Sequence, residues 1–159
     1  MSGDCQFSTF LVEETLFGVP VEKIQEVIRH LESTRVPLAP PMVRGLINLR
    51  GQIIAAVDVR RCLGLPERPA GQVPVHLIFR SEDGPLSLLV DEIGAVLELR
   101  ASASGVTTEA LPAGLREFVS RVYKLSDRLL LVLNTDRMLH GALNDGNAIS
   151  GPAAGAPQC

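Results

Sequence analysis

The feature that most constrains this chain is the shortness of its apolar runs. Residues 45–64 show the pattern: in GLINLRGQIIAAVDVRRCLG an apolar run stops at Arg50-Gly51 and a second apolar run follows at once. Short runs of this kind, bounded by Gly, Pro, Asn, Asp and Ser, are typical of β-strands joined by tight turns. No run approaches the roughly 20 apolar residues that a membrane-spanning helix needs. The sequence therefore predicts an all-β protein.

Composition narrows the class of protein. The 159 residues are 46% hydrophobic and 21% charged, with a formal net charge of −3, which is typical of a soluble globular protein. No basic stretch indicates a surface for nucleic-acid phosphates. The first residues, MSGDCQFSTFLVEE, carry acids where a secretory signal would carry a basic region. We therefore expect a cytoplasmic protein that binds no nucleic acid and inserts into no membrane.

Turn residues predict how the strands are connected. Gly51 permits a positive φ, which suits a short hairpin at Arg50-Gly51. Asp58 can cap a short helix after the second run. The segment 21–30, VEKIQEVIRH, suits a helix or a strand, and its Ile and Val residues favour a strand in the second half. The proline-rich segment 34–45 predicts a loop, and PERPAGQVP at 66–74 predicts a linker near the middle of the chain.

The search for catalytic or metal-binding patterns finds little. The chain has no phosphate-cradling glycine loop, and its three cysteines are widely spaced and form no CxxC unit. His76 lies inside a strand run, where a packed and hydrogen-bonded histidine is expected. We predict no cofactor, no metal and no catalysis. The open alternative is a small β-barrel enzyme or ligand binder, which would need a deep pocket where His76, Asp91 or Glu92 converge.

Longer motifs give a specific resemblance. The segments FGVPVEKIQEVIR (17–29) and RVPLAPPMVRGLINLRGQIIAAVDVRRCLGL (35–65) resemble the CheW-like adaptor domain of bacterial chemotaxis systems. LSLLVDEIGAVLEL and KLSDRLLLVLNTDRML, later in the chain, resemble the hairpin and the closing segment of the same family. The resemblance covers residues 7–140, and the remainder at 144–159 is predicted to be a disordered tail.

The resemblance implies both a fold and a function. The fold would be two packed SH3-like five-stranded β-barrel lobes with short helices, which we place at residues 14–68 and 73–135, with terminal segments free to cross between them. The function would be a non-catalytic scaffold in chemotaxis or another chemosensory pathway, located at receptor arrays beneath the inner membrane. Its partners would be the cytoplasmic tip of a chemoreceptor and the regulatory domain of a CheA-type histidine kinase. The alternative is a divergent adaptor that binds only one of them.

The resemblance also implies two binding surfaces. A receptor tip is a helical bundle, so its partner would offer a groove with apolar walls and a few charges that fix register. Arg50 is the leading candidate because a hairpin tip is exposed and a guanidinium offers five donors. The predicted receptor-binding residues are Ile24, Glu26, Gly45, Arg50, Leu86, Ser87, Val90 and Val96. The predicted kinase-binding residues are Met42, Val43 and Ile54. Ser87 departs from the family, which usually has glycine there.

Overall fold

The computed structural model describes residues 4–29, 31–81, 84–100 and 108–138. Within these ranges the chain forms ten strands, short α-helical segments and two 3₁₀ turns, the latter at Val21–Lys23 and Thr108–Ala110. The strands are β1 (Asp4–Val12), β2 (Thr15–Pro20), β3 (Ile24–Ile28), β4 (Val43–Leu49), β5 (Gln52–Asp58), β6 (Val75–Ser81), β7 (Gly84–Val90), β8 (Glu92–Arg100), β9 (Val119–Lys124) and β10 (Leu129–Leu133), and the helices are α1 (Val59–Cys62) and α2 (Ala113–Arg116). The predicted tail at 144–159 lies outside the described residues.

The strands form two five-stranded sheets, one in each of two β lobes. The terminal lobe uses strands from both ends of the chain in the order β8-β1-β2-β10-β9. The central lobe takes the strands between them in the order β3-β6-β7-β5-β4. Each sheet contains one parallel pair, β2 with β10 and β5 with β7, among antiparallel neighbours. The prediction of an all-β chain in two five-stranded lobes is confirmed.

The predicted division of the chain between the lobes is wrong. Residues 14–68 and 73–135 were expected to form one lobe each, but β2 pairs with β10, and β7 pairs with β5. The central lobe therefore consists of the continuous segment from β3 to β7. The terminal lobe consists of the strands that precede and follow this segment in the sequence. The segment 66–74 joins α1 to β6 inside the central lobe instead of separating two lobes. Its proline and glycine content indicates a turn-rich connection, and composition alone cannot tell which strands that connection joins.

The core has three layers because side chains alternate along the strands. In β2, Phe17 and Val19 point into the cluster between the lobes, whereas Leu16 packs inside the terminal lobe. In β7, Leu88 faces the cluster between the lobes and Leu89 the interior of the central lobe. The cluster between the lobes is the largest of the three. Apolar burial therefore holds the two lobes together as well as filling each of them.

The β4–β5 hairpin folds as its sequence predicts. Arg50 and Gly51 have φ values of 53° and 86°, and two positive values in a two-residue loop define a type I′ turn. Asn48 Oδ1 accepts a hydrogen bond from the Gly51 amide at 2.9 Å, which braces the turn. Glycine tolerates this conformation freely, but Arg50 adopts it at a steric cost. The turn thus holds an arginine at its tip where Asn or Gly would fit more easily.

The edge of the central lobe next to β4 is closed by close backbone contact. Thr34 forms an isolated bridge with Leu46, with N–H···O distances of 2.7 and 2.8 Å. A Cβ added at Gly45 would lie 2.5 Å from the Thr34 carbonyl oxygen, so only glycine permits this approach. Gly45 is buried. It was predicted to contact a receptor, but the structure shows it packed against the chain's own backbone.

Two of the short helical turns begin at polar caps, and the cap at Asp58 was predicted. Asp58 Oδ1 accepts from the Arg60 amide at 3.1 Å at the start of α1. Residues 135–138 are helical, and Asn134 Oδ1 accepts from the Arg137 amide at 3.1 Å. The ambiguous segment at 21–30 resolves into a 3₁₀ turn followed by β3, so the predicted strand in its second half is confirmed. Across the described ranges, no helix is long and apolar enough to span a membrane.

Candidate protein-binding surfaces

The tip of the β4–β5 hairpin is tied to β3 by an ion pair. Arg50 donates from Nη1 and Nη2 to the two carboxylate oxygens of Glu26, at 2.6 and 2.9 Å. The Arg50 side chain is 70% exposed and that of Glu26 25% exposed. The hydrogen bond and the positive charge of Arg50 lower the pKa of Glu26, and the same pair raises the pKa of Arg50. The structure therefore brings together two predicted receptor-binding residues and leaves the guanidinium accessible to solvent.

Two of the predicted receptor-binding residues are apolar side chains that remain partly exposed, one in each lobe. Ile24, beside Glu26 in β3, is half-buried, and Val96 in β8 of the terminal lobe is 56% exposed. Val96 lies opposite Ser8 of β1, and β1 also packs against the 3₁₀ turn that leads into β3. Val27, which sequence reasoning missed, is 41% exposed. The alternation of side chains along β3 could have indicated this exposure, because Val27 lies on the face opposite to that of Glu26 and Ile28, which are half-buried.

Three other predicted receptor-binding residues do not reach the surface. Leu86, Ser87 and Val90 in β7 are 3%, 0% and 0% exposed. β7 lies between β6 and β5 in its sheet. One of its faces packs in the cluster between the lobes and the other in the interior of the central lobe. These three residues belong to the core, so the prediction that they line a receptor-binding groove is wrong.

The predicted kinase-binding residues are also mostly internal. Val43 is 8% exposed and Ile54 is 1% exposed, whereas Met42 is half-buried at the edge of the cluster between the lobes. Ile54 points into the central lobe, so its neighbour Ile53 takes the outer face of the same strand and is 61% exposed. The prediction chose the wrong one of two adjacent residues. Because successive side chains in a strand point to opposite faces, an error of one position replaces an outer side chain by an inner one.

Sequence reasoning did not find a buried network of charges at the junction of the lobes. Asp91 is the single residue between β7 and β8, where the chain passes from the central to the terminal lobe. Arg60 binds it with two hydrogen bonds, Nε to Oδ1 at 3.0 Å and Nη2 to Oδ2 at 2.7 Å. The Glu13 amide, in the β1–β2 turn of the terminal lobe, donates to Asp91 Oδ2 at 2.7 Å. The carboxylate thus joins groups from both lobes.

Arg68 extends this network from the segment 66–74. Its side chain is 2% exposed, and its Nε donates to Asp91 at 2.8 Å while Nη1 donates to Asp58 Oδ2 at 2.8 Å. Nη2 donates to the Leu89 carbonyl at 3.1 Å. Burial alone raises the pKa of Asp91, but the bonds from Arg60 and Glu13 and the charges of Arg68 and Arg60 outweigh burial and lower it. The network links the two lobes to this connection.

A cleft of about 800 Å³ opens beside the network. Asp91 and Arg60 line it, together with exposed groups such as Arg29 and Glu92. His76 is not among its lining residues. No group of three or more potential metal ligands occurs among the residues whose positions are described. Asp91 and Glu92 both line this cleft and His76 does not, so the three residues named for an enzyme or ligand binder do not all meet in it.

His76 is held inside the central lobe. Its Nε2 lies 3.1 Å from the Leu31 carbonyl and its Nδ1 lies 3.0 Å from Ser87 Oγ. A carbonyl can only accept, so Nε2 carries the proton and Nδ1 accepts from the Ser87 hydroxyl. Burial lowers the pKa of His76, which keeps the ring neutral near pH 7. The predicted role of a packed histidine fits this geometry, and Ser87 has an internal partner.

Comparison with known proteins agrees with this architecture. A model of the CheW-like domain matches residues 6–143. A chemotaxis protein CheW from Thermotoga maritima is 27% identical over 131 residues, which are 82% of this chain and 85% of that protein. A chemotaxis protein CheW from Helicobacter pylori is 24% identical over 134 residues, or 84% and 81% of the two chains.

A solved structure shows the same fold. The scaffolding protein CheW from Thermoanaerobacter tengcongensis aligns with a TM-score of 0.71 at 23% identity, covering 84% of this chain and 90% of that one. Because the family model covers both lobes and nearly every strand, the chain belongs to the CheW-like domain family of chemotaxis adaptors.

Proposed function

We propose that this chain is a non-catalytic scaffold that couples the cytoplasmic tips of chemoreceptors to a CheA-type histidine kinase in a chemosensory array. The observation that carries the proposal is the match to the CheW-like domain over residues 6–143, which includes strands of both lobes. The described core supports it, since both lobe interiors and the space between the lobes are filled by apolar side chains. A protein built this way works through its outer faces.

The receptor-facing surface is proposed to consist of Ile24, Glu26, Arg50 and Val96. These are the predicted receptor-binding residues that the fold leaves at least partly accessible. Ile24 and Val96 come from different lobes, so a receptor helix lying along the junction would touch both. The exposed Arg50 guanidinium, already oriented by Glu26, would add a charged contact that fixes the register of that helix.

The kinase-facing surface is proposed to consist of Met42 and Ile53. Met42 leads into the β4–β5 hairpin, and Ile53 lies on the outer face of that hairpin. Ile53 takes the place predicted for Ile54, whose side chain is internal. A flexible thioether and an exposed isoleucine suit an apolar contact with another β-barrel domain.

Separate binding measurements test the proposal. Affinities are measured by calorimetry for a receptor signalling-tip fragment and for a kinase regulatory domain from the same organism. The unaltered chain should bind both, and Val96→Glu should weaken receptor binding by about tenfold or more because a charge enters an apolar contact. Leu129→Glu is the matched control, since Leu129 is 38% exposed and lies outside both proposed surfaces. Binding to neither partner contradicts the proposal, and binding to only one leaves the divergent adaptor instead.

A further inference from the structure

β8 carries a β-bulge where it pairs with β1. Ser8 of β1 lies opposite Val96 of β8. Two positions further along β1, Phe10 lies opposite Ile93, which is three positions from Val96. Between the two pairs β1 therefore has one residue, Thr9, whereas β8 has two. An extra residue in one strand of an antiparallel pair disrupts the ladder locally and redirects the side chains beside it.

The bulge places Ile93 and Val96 on the same face of the terminal sheet. Residues directly opposite each other on paired strands share a face, as do alternate residues of one strand. Phe10 and Ser8 therefore share a face, and Phe10 and its partner Ile93 pack in the cluster between the lobes. Val96, opposite Ser8, lies on that face too, although an interval of three positions in a regular strand puts side chains on opposite faces. The next residue, Leu97, packs inside the terminal lobe, as this facing requires.

The Thr9 side chain ties the two strands together at the bulge. It is 2% exposed, and its Oγ1 donates a hydrogen bond to the Ala95 carbonyl. The space beside it is tight, because a Cβ added at Gly94 would lie 2.5 Å from Thr9 Oγ1. A side-chain donor thus joins the strands where the backbone ladder is disrupted, and glycine leaves the room that this donor needs.

We propose that Thr9 is a positioning residue of the receptor-facing surface, and that its hydroxyl fixes the bulge that turns Val96 toward a receptor helix. The inference rests on the proposed function, which assigns Val96 to that surface. Thr9 is buried, so it acts through β8 and not by touching a receptor. A side chain that is already oriented loses less conformational freedom on binding, so a fixed bulge strengthens the contact. The kinase-facing surface lies at the β4–β5 hairpin of the other lobe, so the bulge should affect receptor binding alone.

Two substitutions at position 9 separate the hydroxyl from the shape of the side chain. Thr9→Val replaces the hydroxyl by a methyl group of similar size, whereas Thr9→Ser keeps the hydroxyl. In calorimetric titrations Thr9→Val should bind a receptor signalling tip about three- to tenfold more weakly, the equivalent of one hydrogen bond, and Thr9→Ser should bind within about twofold of the parent. The affinity for the kinase regulatory domain should be unchanged in both. Thr15→Val is the matched control, because it makes the same change at a half-buried threonine of β2.

Backbone NMR reports on the bulge without any partner. In Thr9→Val the chemical shifts of residues 94–96 should change, while those of β9 and β10 stay as in the parent. In Thr9→Ser the shifts of residues 94–96 should stay close to those of the parent. Gly94→Ala tests the same contact from the other strand, because its Cβ displaces the Thr9 hydroxyl. It should alter the same resonances and weaken receptor binding as Thr9→Val does.

Each outcome decides the inference. A Thr9→Val protein that keeps the parent's signals at residues 94–96, or the parent's affinity for the receptor tip, overturns it. Equal losses of receptor affinity in Thr9→Val and Thr9→Ser overturn it as well, because the hydroxyl is then not the cause. Equal losses for receptor and kinase, or a Thr9→Val protein that fails to fold beside a Gly94→Ala protein that binds the receptor normally, give Thr9 a general structural role and overturn it too. Failure of the parent to bind any receptor tip is the separate outcome that contradicts the proposed function, and the inference with it.

Discussion

Arg50 reaches from the tip of the β4–β5 hairpin to Glu26 in β3 and binds both of its carboxylate oxygens. β3 and β4 are the two edge strands of the central sheet, so the pair spans the opening between them. The backbone supports this reach, because Arg50 adopts a positive φ that places its side chain at the hairpin tip. Arg50 uses two N–H groups to bind Glu26. Because a guanidinium has five N–H groups, the remaining ones can donate to a partner.

Removing either member of this pair should weaken receptor binding without unfolding the protein. Exposed ion pairs contribute little to stability, so Arg50→Ala and Glu26→Ala should melt close to the parent. The affinity for a receptor signalling tip should fall by about tenfold, the equivalent of one charge-assisted contact. Calorimetric titration measures the affinity and circular dichroism the melting temperature. Large unfolding of either variant would instead make the pair a structural element of the hairpin.

Removing Arg68 should destabilise the fold strongly. Its guanidinium is buried between Asp58 and Asp91, so Arg68→Ala leaves two carboxylates short of a partner and should lower the free energy of unfolding by about 3–5 kcal/mol. Chemical denaturation measures this change.

Arg44→Ala is the matched control, because Arg44 binds the same Asp58 Oδ2 at 3.1 Å but is 38% exposed. An exposed partner contributes about 0–1 kcal/mol. Equal losses in the two variants would contradict the role given to the buried network.

Stability should fall at acid pH through Asp91. Its pKa is lowered in the folded protein, so the unfolded chain binds the proton more readily. The contribution of the ionised carboxylate is fully present above the unfolded value of about 4 and is lost as pH falls through the lower folded value. The gap in unfolding free energy between the parent and Asp91→Asn should therefore narrow below about pH 4. A gap of constant size from pH 7 to pH 3 would show that the ionised form of Asp91 is not what stabilises the junction.

Loss of the Ser87 hydroxyl should cost stability, because His76 Nδ1 is then left without its donor inside the core. Ser87→Ala should lower the free energy of unfolding by about 1–3 kcal/mol, the usual cost of a buried unpaired polar atom. Ser120→Ala serves as control, since Ser120 is only partly buried and its bond to the Val132 carbonyl is longer, at 3.3 Å. If the Ser87 variant were as stable as the parent, the hydroxyl would have no such role.

The parts of this fold that local chemistry determines could be predicted from the sequence. The Arg50-Gly51 turn and the cap at Asp58 each depend on residues within a few positions of one another, and both form. The assignment of strands to lobes could not be predicted, because it depends on β2 meeting β10 more than 100 residues away. The pattern of apolar and turn residues indicates that a segment is a strand, but it does not indicate which other strands lie beside it in the sheet.

The binding surfaces show the same limit. Glu26 and Arg50 were predicted separately, and their contact across 24 positions emerged only from the fold. Val90 was misplaced because β7 is buried on both faces, and such strands lack the alternation that separates inner from outer positions. Ile54 was misplaced because positions 53 and 54 are both isoleucine, so the sequence does not show which of the two faces outward. The burial of Arg68 was not predicted, because the prolines and glycine of segment 66–74 indicate an exposed linker. No residue near it in the sequence indicates that its side chain is buried.

The interleaving of the two sheets has a consequence for synthesis on the ribosome. All five strands of the central sheet lie between Ile24 and Val90, so that sheet can be completed while the rest of the chain is still being made. The first hairpin, β1–β2, has to wait for β8 and β10 before its neighbours exist. During that interval its buried Phe7, Phe10 and Phe17 have no complete core to enter, so the nascent chain is most exposed to aggregation at its own beginning.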